Sequence, residues 1–256
     1  MSKRIKFFGL SFRELPRQVR AEVRKPFPVK LKKARQLLKL YAHKNAYVSC
    51  SFGKDSMVVL FLALQERKDI PVVLCNTGID YRETLRFKDR IVKEWNLNYI
   101  ELHPETTYFK VMDRVKAQGK KLDDGSKKSN VCCYHLKEKP FLKFTRSGDW
   151  LINFTGVTAQ ESRKRAWVAC QKGQEYYVRS QHITKVHPIL YWQPHEVENF
   201  IEEMDIPRNP VYEKYDLVRT GCICCTCYRG WREVLSRTHP KLYKMIMSRY
   251  FNQVTF

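Results

Sequence analysis

The stretch CSFGKDSMVVLFLAL (residues 50–64) changes from a strand pattern to a helix pattern within a few residues. The β-type run 46–50 ends in small and charged residues, and a long apolar helix pattern follows. Backbone N–H groups at a strand-to-helix turn bind phosphate well, because the helix dipole lies behind them. Gly53 permits close backbone approach, Ser51 and Ser56 supply hydroxyls, and Lys54 supplies a positive charge. The stretch therefore predicts a phosphate-binding loop.

Asp55 is the one residue of this loop that would repel a phosphate. We expect it to cap the following helix or to hold Mg²⁺. The loop is not of the G-x-x-x-x-G-K-[ST] type, since it has a single Gly and Lys follows it directly. A plain capped turn is the alternative interpretation.

Strand and helix patterns alternate on both sides of the loop. Strands are predicted over 46–50, 70–75, 98–102 and 150–154, and helices over 55–67, 82–95, 106–117 and 133–144, with a polar loop over 119–130. This order predicts an α/β fold with a doubly wound, mostly parallel sheet and ligands at the carboxyl ends of its strands. We expect a basic helical N-terminal extension (1–45), a nucleotide-binding α/β domain (46–187), and a small α-rich C-terminal subdomain (188–256) that carries a cysteine cluster.

The composition narrows the class of protein. Of the 256 residues, 43% are hydrophobic, enough for a full core, but no apolar run approaches the roughly 20 residues of a membrane span. The chain begins without a secretory signal pattern, so we expect a cytoplasmic protein with no membrane partner. The net charge is +22, and residues 1–44 hold fourteen Lys and Arg against two Glu. A nucleic acid is the expected polyanionic partner, and an acidic protein is the alternative.

Nine cysteines without a secretion signal favour metal binding over disulfides. Cys132 and Cys133 together with Cys222 and Cys225 provide four thiolates from two places in the chain, which suits Zn²⁺ or a [4Fe–4S] cluster. Adjacent cysteines are awkward around one zinc, whereas a cubane offers separate iron corners, so we expect the cluster. A second C-x-x-C pair, Cys224 and Cys227, is the alternative ligand register.

The loop Ser51-Phe52-Gly53-Lys54-Asp55-Ser56 resembles the S-x-G-x-D-S pyrophosphate-binding loop of the adenine nucleotide α-hydrolase (PP-loop) superfamily. Those enzymes typically cleave ATP between the α and β phosphates. Three further stretches resemble segments of the phosphoadenosine phosphosulfate (PAPS) reductase family: NTGIDYRET (76–84), GVTAQESRKRA (156–166), and the tract from HPILYWQ to GCICC (187–225). The four motifs run in the family's order over about residues 46–235.

The resemblance implies a set of functional residues. Nucleotide binding would fall to Ser51, Gly53, Lys54, Asp55, Ser56, Thr77, Gly78, Glu83, Glu161 and Arg165. Lys54, Asp55 and Arg165 would be catalytic, with ATP and Mg²⁺ as cofactors. Cluster-containing members of the family place a C-C pair and a C-x-x-C pair at these two points, which supports a [4Fe–4S] cluster on Cys132, Cys133, Cys222 and Cys225.

Two departures from the reductases bear on the expected reaction. The reductases attack activated sulfate with a Cys in an E-C-G-L-H-like tail, whereas here no Cys follows Cys227. The loop, in contrast, keeps the full ATP-pyrophosphatase pattern. This combination resembles the ATP-using, cluster-containing branch, such as the component of DNA phosphorothioation systems and related tRNA-thiolating enzymes. It implies an enzyme that hydrolyses ATP to AMP and pyrophosphate to activate a nucleic acid for sulfur transfer, with a sulfur-donor protein as a further partner.

Three alternatives remain open. The first is a phosphoadenosine or adenosine phosphosulfate reductase that releases sulfite with a thiol donor. The second is an ATP sulfurylase subunit, which would not need the cysteine clusters. The third is a non-catalytic nucleic-acid-binding module, in which tryptophans would stack on bases, although Trp is more often a core residue. The candidate stacking residues are Trp150, Trp167, Trp192 and Trp231.

Overall fold

The computed structural model describes residues 9–118, 131–226 and 230–251. The strands are β1 (Ala46–Ser49), β2 (Val72–Cys75), β3 (Tyr99–Leu102), β4 (Ile152–Thr155), β5 (Glu175–Val178) and β6 (Ile183–Val186). The helices are α1 (Arg17–Val23), α2 (Phe27–Tyr41), α3 (Lys54–Glu66), α4 (Arg82–Glu94), α5 (Tyr108–Ala117), α6 (Val131–Cys133), α7 (Lys139–Arg146), α8 (Arg163–Lys172), α9 (Pro194–Glu203), α10 (Val211–Lys214), α11 (Trp231–Thr238) and α12 (Pro240–Ile246). A π-helical stretch, Tyr134–Glu138, joins α6 to α7, and a second one, Met247–Phe251, follows α12.

The strands of the described residues form one sheet in the order β3-β2-β1-β4-β6-β5. Each pair is parallel except β5 with β6, which is antiparallel. The central strand β1 has Ala46, Tyr47 and Val48 fully buried, as expected where helices cover both faces of a parallel sheet. The predicted α/β class with a mostly parallel sheet is confirmed.

The strand order reverses between β1 and β4. From β1 the chain moves outward through β2 to β3, and β4 then returns to the other side of β1. Connections leave the carboxyl ends of β1 and β4 in opposite directions, so a crevice forms between them. The loop that follows β1, residues 50–53, opens onto this crevice.

The helix α3 begins directly after the loop and lies in the main core. Its residues Met57 to Leu60 are at most 1% exposed, which explains the apolar run that follows the loop in the sequence. Ser56 ties the first turn: its hydroxyl accepts a hydrogen bond from the Gly53 N–H at 3.1 Å and donates to the Gly53 carbonyl at 2.9 Å. The start of α3 is therefore fixed by its own loop.

The N-terminal helix α2 packs into the same core as the sheet. Ala34, Leu37 and Leu38 are at most 2% exposed and belong to the main apolar cluster, as do Trp192 and Phe200 from the C-terminal part. The division into 1–45, 46–187 and 188–256 stays a prediction, and the shared core gives these three parts extensive mutual contact.

Some elements differ from the sequence prediction. The strands β5 and β6 and the helix α8 were not predicted, and the helix expected over 133–144 contains the π-helical stretch. The polar loop expected over 119–130 lies outside the described residues, as does Cys227. Within the described residues, no helix has the length and apolar character needed to cross a bilayer.

Candidate functional site

The loop after β1 is held in an uncommon backbone conformation. Phe52 has a φ of 54°, in the left-handed region that a bulky side chain rarely adopts. Its ring is fully buried, and its carbonyl accepts a hydrogen bond from the Asn209 side chain at 3.0 Å. The Tyr212 hydroxyl accepts from the Lys54 N–H at 3.0 Å. Residues outside the loop therefore stabilise a strained turn, a feature that is frequent at functional sites.

Gly156 allows the segment after β4 to approach this loop closely. A Cβ atom at position 156 would lie 2.6 Å from the backbone C and O of Asp55 and from the backbone N of Ser56. Such distances are incompatible with any side chain unless the backbone moves. Glycine is thus required where the two loops meet, at the point where the strand order reverses.

The crevice is a cleft of about 1360 Å³. Seven of the predicted nucleotide-binding residues line it: Ser51, Gly53, Lys54, Asp55, Ser56, Glu161 and Arg165. The lining also contains polar residues outside the predicted set, among them Lys137, Thr155, Glu198, Arg208, Tyr212 and Arg219. These come from distant parts of the sequence, and Glu198, Arg208, Tyr212 and Arg219 lie within the family-like tract 187–225.

Lys54 lies among carboxylates at the start of α3. Its ammonium nitrogen is 3.0 Å from the Asp55 carboxylate and 4.0 Å from that of Glu198. Arg208 contacts the other oxygen of Glu198 at 2.7 Å. The cations of the cleft are thus compensated by carboxylates, and an incoming phosphate would compete for them.

Arg165 and Arg219 form a second positively charged part of the cleft lining. Burial, and after it the charge of the nearby Arg219, lower the pKa of Arg165 to about 10, although Asp55 acts in the opposite direction. Arg165 also contacts the Glu161 carboxylate, which accepts a hydrogen bond from the Thr158 N–H at 3.1 Å. Two guanidinium groups that repel each other in a half-buried site would be stabilised by a bound anion.

Three predicted residues do not line the cleft. Thr77 donates its hydroxyl to the Asp80 carboxylate at 2.7 Å, and Gly78, with a φ of 75°, shapes the same turn. Glu83 pairs with Lys214 and accepts a hydrogen bond from the Tyr215 hydroxyl at 3.0 Å. The structure thus places Thr77 and Gly78 in the turn after β2 and Glu83 against α10.

The two cysteine segments meet beside the same turn after β2. Cys222 forms an isolated antiparallel bridge with Asp80, and the Ile223 N–H donates to the Ile79 carbonyl at 2.8 Å. The Thr77 hydroxyl is 3.5 Å from the Cys222 sulfur. From the other segment, the Leu136 carbonyl accepts a hydrogen bond from the Cys75 thiol at 3.0 Å.

Lys137 links this cysteine region to the cleft. Burial acts to lower its pKa, but Cys222, Asp80, Cys133 and Cys225 raise it overall. The pKa of the Cys222 thiol is raised by burial, and Lys137 opposes that shift. An ammonium group therefore stands among thiols from both segments while it lines the cleft.

Cys224 lies in different surroundings from Cys222 and Cys225, and the choice between the two C-x-x-C registers stays a prediction. Cys224 is fully buried in an apolar cluster with Tyr108, Trp231 and Leu235, whereas Cys222 and Cys225 interact with Lys137. Among residues 9–118, 131–226 and 230–251, no three His, Cys, Asp or Glu side chains converge in a metal-binding arrangement. The donor set still fits an iron–sulfur cluster chemically, since it offers four thiols from two segments and a nearby cation to offset thiolate charge.

Comparison with known proteins places these features in a family. Residues 45–228 match the phosphoadenosine phosphosulfate reductase domain. An adenosine 5'-phosphosulfate reductase from Staphylococcus epidermidis is 31% identical over 183 residues, which cover 70% of this chain and 69% of that protein. An uncharacterized protein from Methanocaldococcus jannaschii is 30% identical over 206 residues, or 78% of this chain, but the chain spans only 40% of its length.

Two solved structures share the fold. A PAPS reductase from Candida auris in a phosphate complex has a TM-score of 0.57 and 16% identity, covering 84% of this chain and 97% of that one. The U34-tRNA thiolase NcsA from Methanococcus maripaludis, solved with its [4Fe–4S] cluster, has a TM-score of 0.50 and 14% identity, covering 87% and 78%. With the fold, the loop and the matched segment in agreement, the chain belongs to the phosphoadenosine phosphosulfate reductase domain family.

Proposed function

We propose that this protein is an ATP-dependent, iron–sulfur enzyme that activates a nucleic acid for sulfur transfer. One observation carries the proposal: a single cleft is lined both by the loop after β1 and by Lys137, which interacts with cysteines of both segments. A phosphate-binding loop alone would suit many nucleotide-binding proteins. The adjacent thiols point to sulfur chemistry next to the nucleotide.

The loop residues would bind the triphosphate. The N–H groups at the start of α3, the hydroxyls of Ser51 and Ser56, and the ammonium of Lys54 would contact the β and γ phosphates, with Asp55 holding Mg²⁺. Arg165 would neutralise charge that develops on the α-phosphate. In this step an oxygen of the target attacks the α-phosphorus, the bond to the β-phosphate oxygen breaks, and pyrophosphate leaves. A sulfur nucleophile then displaces AMP from the adenylated target.

The thiols Cys132, Cys133, Cys222 and Cys225 would hold a [4Fe–4S] cluster. When bound, such a cluster supplies iron that can take up a sulfur species from a donor protein. Lys137 would balance the negative charge of the thiolates and remain ammonium, in line with its raised pKa. The tRNA thiolase with the same fold is one case in which this superfamily combines a cluster with sulfur transfer.

A nucleic-acid target is favoured by charge. The chain carries +22, and more than half of that excess lies in residues 1–44. Phosphate backbones bind such surfaces through counterion release. The N-terminal residues therefore have a role in the proposal, although they precede the matched family segment.

Product analysis on anaerobically purified protein tests the proposal. Iron and acid-labile sulfide are expected at about four each per chain. With ATP and nucleic acid, we expect AMP and pyrophosphate in equal amounts, and Asp55→Ala should abolish their release while the visible absorbance of the cluster is retained. Release of ADP would overturn the assigned cleavage, and a colourless protein with one zinc per chain would overturn the cluster chemistry.

A sulfonucleotide reductase is the second candidate, because adenosine 5'-phosphosulfate reductases are about 30% identical to this chain. In that reaction a thiolate attacks the sulfur of the sulfonucleotide, AMP or its 3'-phosphate leaves, and a second thiol releases sulfite. Sulfite release from adenosine or phosphoadenosine phosphosulfate with a thiol donor, and no AMP from ATP, would select this candidate.

A further inference from the structure

One tryptophan stands apart from the others. Trp192 and Trp231 are at most 2% exposed, and Trp95 packs against the main core. Trp150 stacks on Phe144 with a centroid distance of 5.0 Å. Trp167, in contrast, is 59% exposed. An indole with this much exposed surface is available for contact with a partner.

Trp167 lies on the helix that forms one wall of the cleft. Ser162, the N-cap of α8, and Arg165 in its first turn both line the cleft. Arg163 and Lys164 are exposed at the same end of the helix. Residues three and four apart share a helix face, so both cations lie on the same side of α8 as Trp167. This face of α8 combines an aromatic ring with two positive charges and is exposed to solvent, whereas Arg165, two residues before Trp167, lies on the other side of the helix and lines the cleft.

Every charged residue of α8 is positive, and α1, which packs against α8, carries further positive residues. The helix α8 contains Arg163, Lys164, Arg165 and Lys172 and no acidic residue. Val19 and Val23 of α1 share an apolar cluster with Ala166 and Ala169 of α8. The packing leaves Arg17 of α1 exposed. The exposed cations Arg163 and Lys164 of α8 and Arg17 of α1 therefore lie on two helices that pack together, and Glu14 is 3.8 Å from the Arg163 guanidinium.

We propose that Arg163, Lys164 and Trp167 bind an unpaired nucleic-acid strand on the exposed face of α8, the helix whose first turn contributes to the cleft. The two cations would contact phosphates, and the indole would stack on one base. An exposed ring can stack in this way only on a base that is not paired inside a duplex, so the expected ligand is a single-stranded segment. The inference rests on the proposed function and adds to it the binding surface and the strand state of the target.

Fluorescence anisotropy with a labelled 12-nucleotide single strand, as DNA and as RNA, tests the stacking role. Because Trp167→Ala loses one base–aromatic stack, we expect the variant to bind the single strand about 5- to 150-fold more weakly than wild type. Trp167→Phe should restore most of the affinity, since a phenyl ring also stacks. Tyr177→Ala is the matched control: Tyr177 is 55% exposed but lies on the edge strand β5 and not on α8, and its loss should change nothing.

The salt dependence tests the phosphate contacts. For a single strand, the slope of log K against log salt falls by about 0.7 for each lost phosphate contact. Arg163→Gln with Lys164→Gln should therefore lower the slope by about 1.4, whereas Trp167→Ala should leave it near the wild-type value. A duplex of the same sequence is expected to bind wild type and Trp167→Ala equally.

The outcomes separate this inference from the function on which it rests. If wild type and Trp167→Ala bind the single strand with equal affinity, the stacking site is wrong while the sulfur-transfer proposal stands. If wild type releases AMP from ATP but binds neither single strand nor duplex, the nucleic-acid target itself fails. If Tyr177→Ala weakens binding as much as Trp167→Ala, the effect does not belong to the α8 surface and the inference is overturned.

Discussion

Gly156 gives the most local test of the cleft, because its lack of a side chain lets two loops touch. In Gly156→Ala the added Cβ would lie 2.6 Å from backbone atoms of Asp55 and Ser56, so the loop would have to move. Overpacking of this kind costs about 1–3 kcal/mol. If that strain falls on the phosphate-binding conformation, affinity for a non-hydrolysable ATP analogue should drop about 10- to 100-fold by calorimetry.

Gly148→Ala is the control for this substitution. There an added Cβ would meet the Trp150 side chain, and Gly148 does not line the cleft. We expect unchanged affinity for the ATP analogue, whatever the effect on the melting temperature. Wild-type ATP affinity in Gly156→Ala would contradict the close approach of the two loops.

His187 makes the stability of the protein depend on pH. Burial lowers its pKa to about 4, with further contributions from the charges of Lys185 and Arg165. The unfolded value is about 6.5, so between pH 6.5 and 4 the unfolded chain binds a proton that the folded chain does not. The free energy of unfolding should therefore decrease as the pH is lowered from 6.5 to 4, and this group should account for up to about 3 kcal/mol of the decrease.

His187→Asn isolates this contribution. In the folded protein the His187 Nδ1 lies 2.5 Å from the hydroxyl of the cleft residue Thr155, and the Asn side chain also offers a hydrogen-bond acceptor. Urea unfolding at pH 7 and pH 4.5 should show a smaller loss of unfolding free energy in the variant than in wild type. Equal losses would mean that His187 is not buried in its neutral form.

At the scale of elements, a buried ion pair between Lys30 and Glu196 connects α2 to α9. The Lys30 ammonium is 2.5 Å from the Glu196 carboxylate and donates to the Val23 carbonyl at 2.9 Å. Lys30→Ala leaves that carboxylate buried without its counter-ion, although the Gln193 N–H still donates to it at 2.7 Å, and the loss of one partner of a buried ion pair typically costs about 3–5 kcal/mol. Urea unfolding should report this loss, and α2 should lose hydrogen-exchange protection first.

The exposed pair between Lys25 and Glu22 is the matched control, since its side chains are 47% and 38% exposed at a similar distance of 2.6 Å. Lys25→Ala should change stability little, because exposed pairs are screened by water and salt. Equal effects of Lys25→Ala and Lys30→Ala would argue against the fastening role of Lys30.

The same elements show which parts of the fold were accessible from the sequence. The strand, loop and helix over 46–66 have strong local patterns, because an apolar strand, a turn and a buried helix follow one another directly. The strand β5 has no such pattern: it is an edge strand with alternating exposure, and it pairs antiparallel only through its contact with β6. Such tertiary pairing overrides local preference.

The residues of the candidate site also differ in how far they could be predicted from the sequence. Residues within one motif, such as Lys54 and Asp55, were predicted because the chemistry is local. Arg208 and Arg219 lie inside the family-like tract 187–225, but neither was predicted as a site residue, and their contact with the cleft comes from the folding of that tract onto the loop after β1. Glu83 was expected at the nucleotide but pairs with Lys214, a partner that only the folded chain brings near.

At the scale of the whole molecule, the cysteine region joins distant segments. The turn after β2, the π-helical stretch before α7 and the segment around Cys222 meet there, and the C-terminal helices pack over Cys224. The end of the C-terminal region is attached to α5, since Arg249 and Tyr250 contact Asp113 at 2.5 and 2.9 Å. A cluster bound by both cysteine segments would therefore crosslink parts of the chain that are otherwise joined only by non-covalent contacts: packing, hydrogen bonds and an ion pair.

Binding of a cluster should change stability in a regional pattern. A group that binds only the folded chain stabilises it, and here the gain should concentrate in the segments that carry its ligands. After anaerobic reconstitution with iron and sulfide, hydrogen exchange should slow in residues 131–146 and 222–251, while the buried strands β1 and β4 change little. Cys222→Ser should abolish the effect, and Cys170→Ser, which alters a cysteine on α8 outside both segments, should behave as wild type. Uniform slowing across the sheet, or the same response in Cys222→Ser, would mean that iron binds elsewhere and that the two cysteine segments do not form one site.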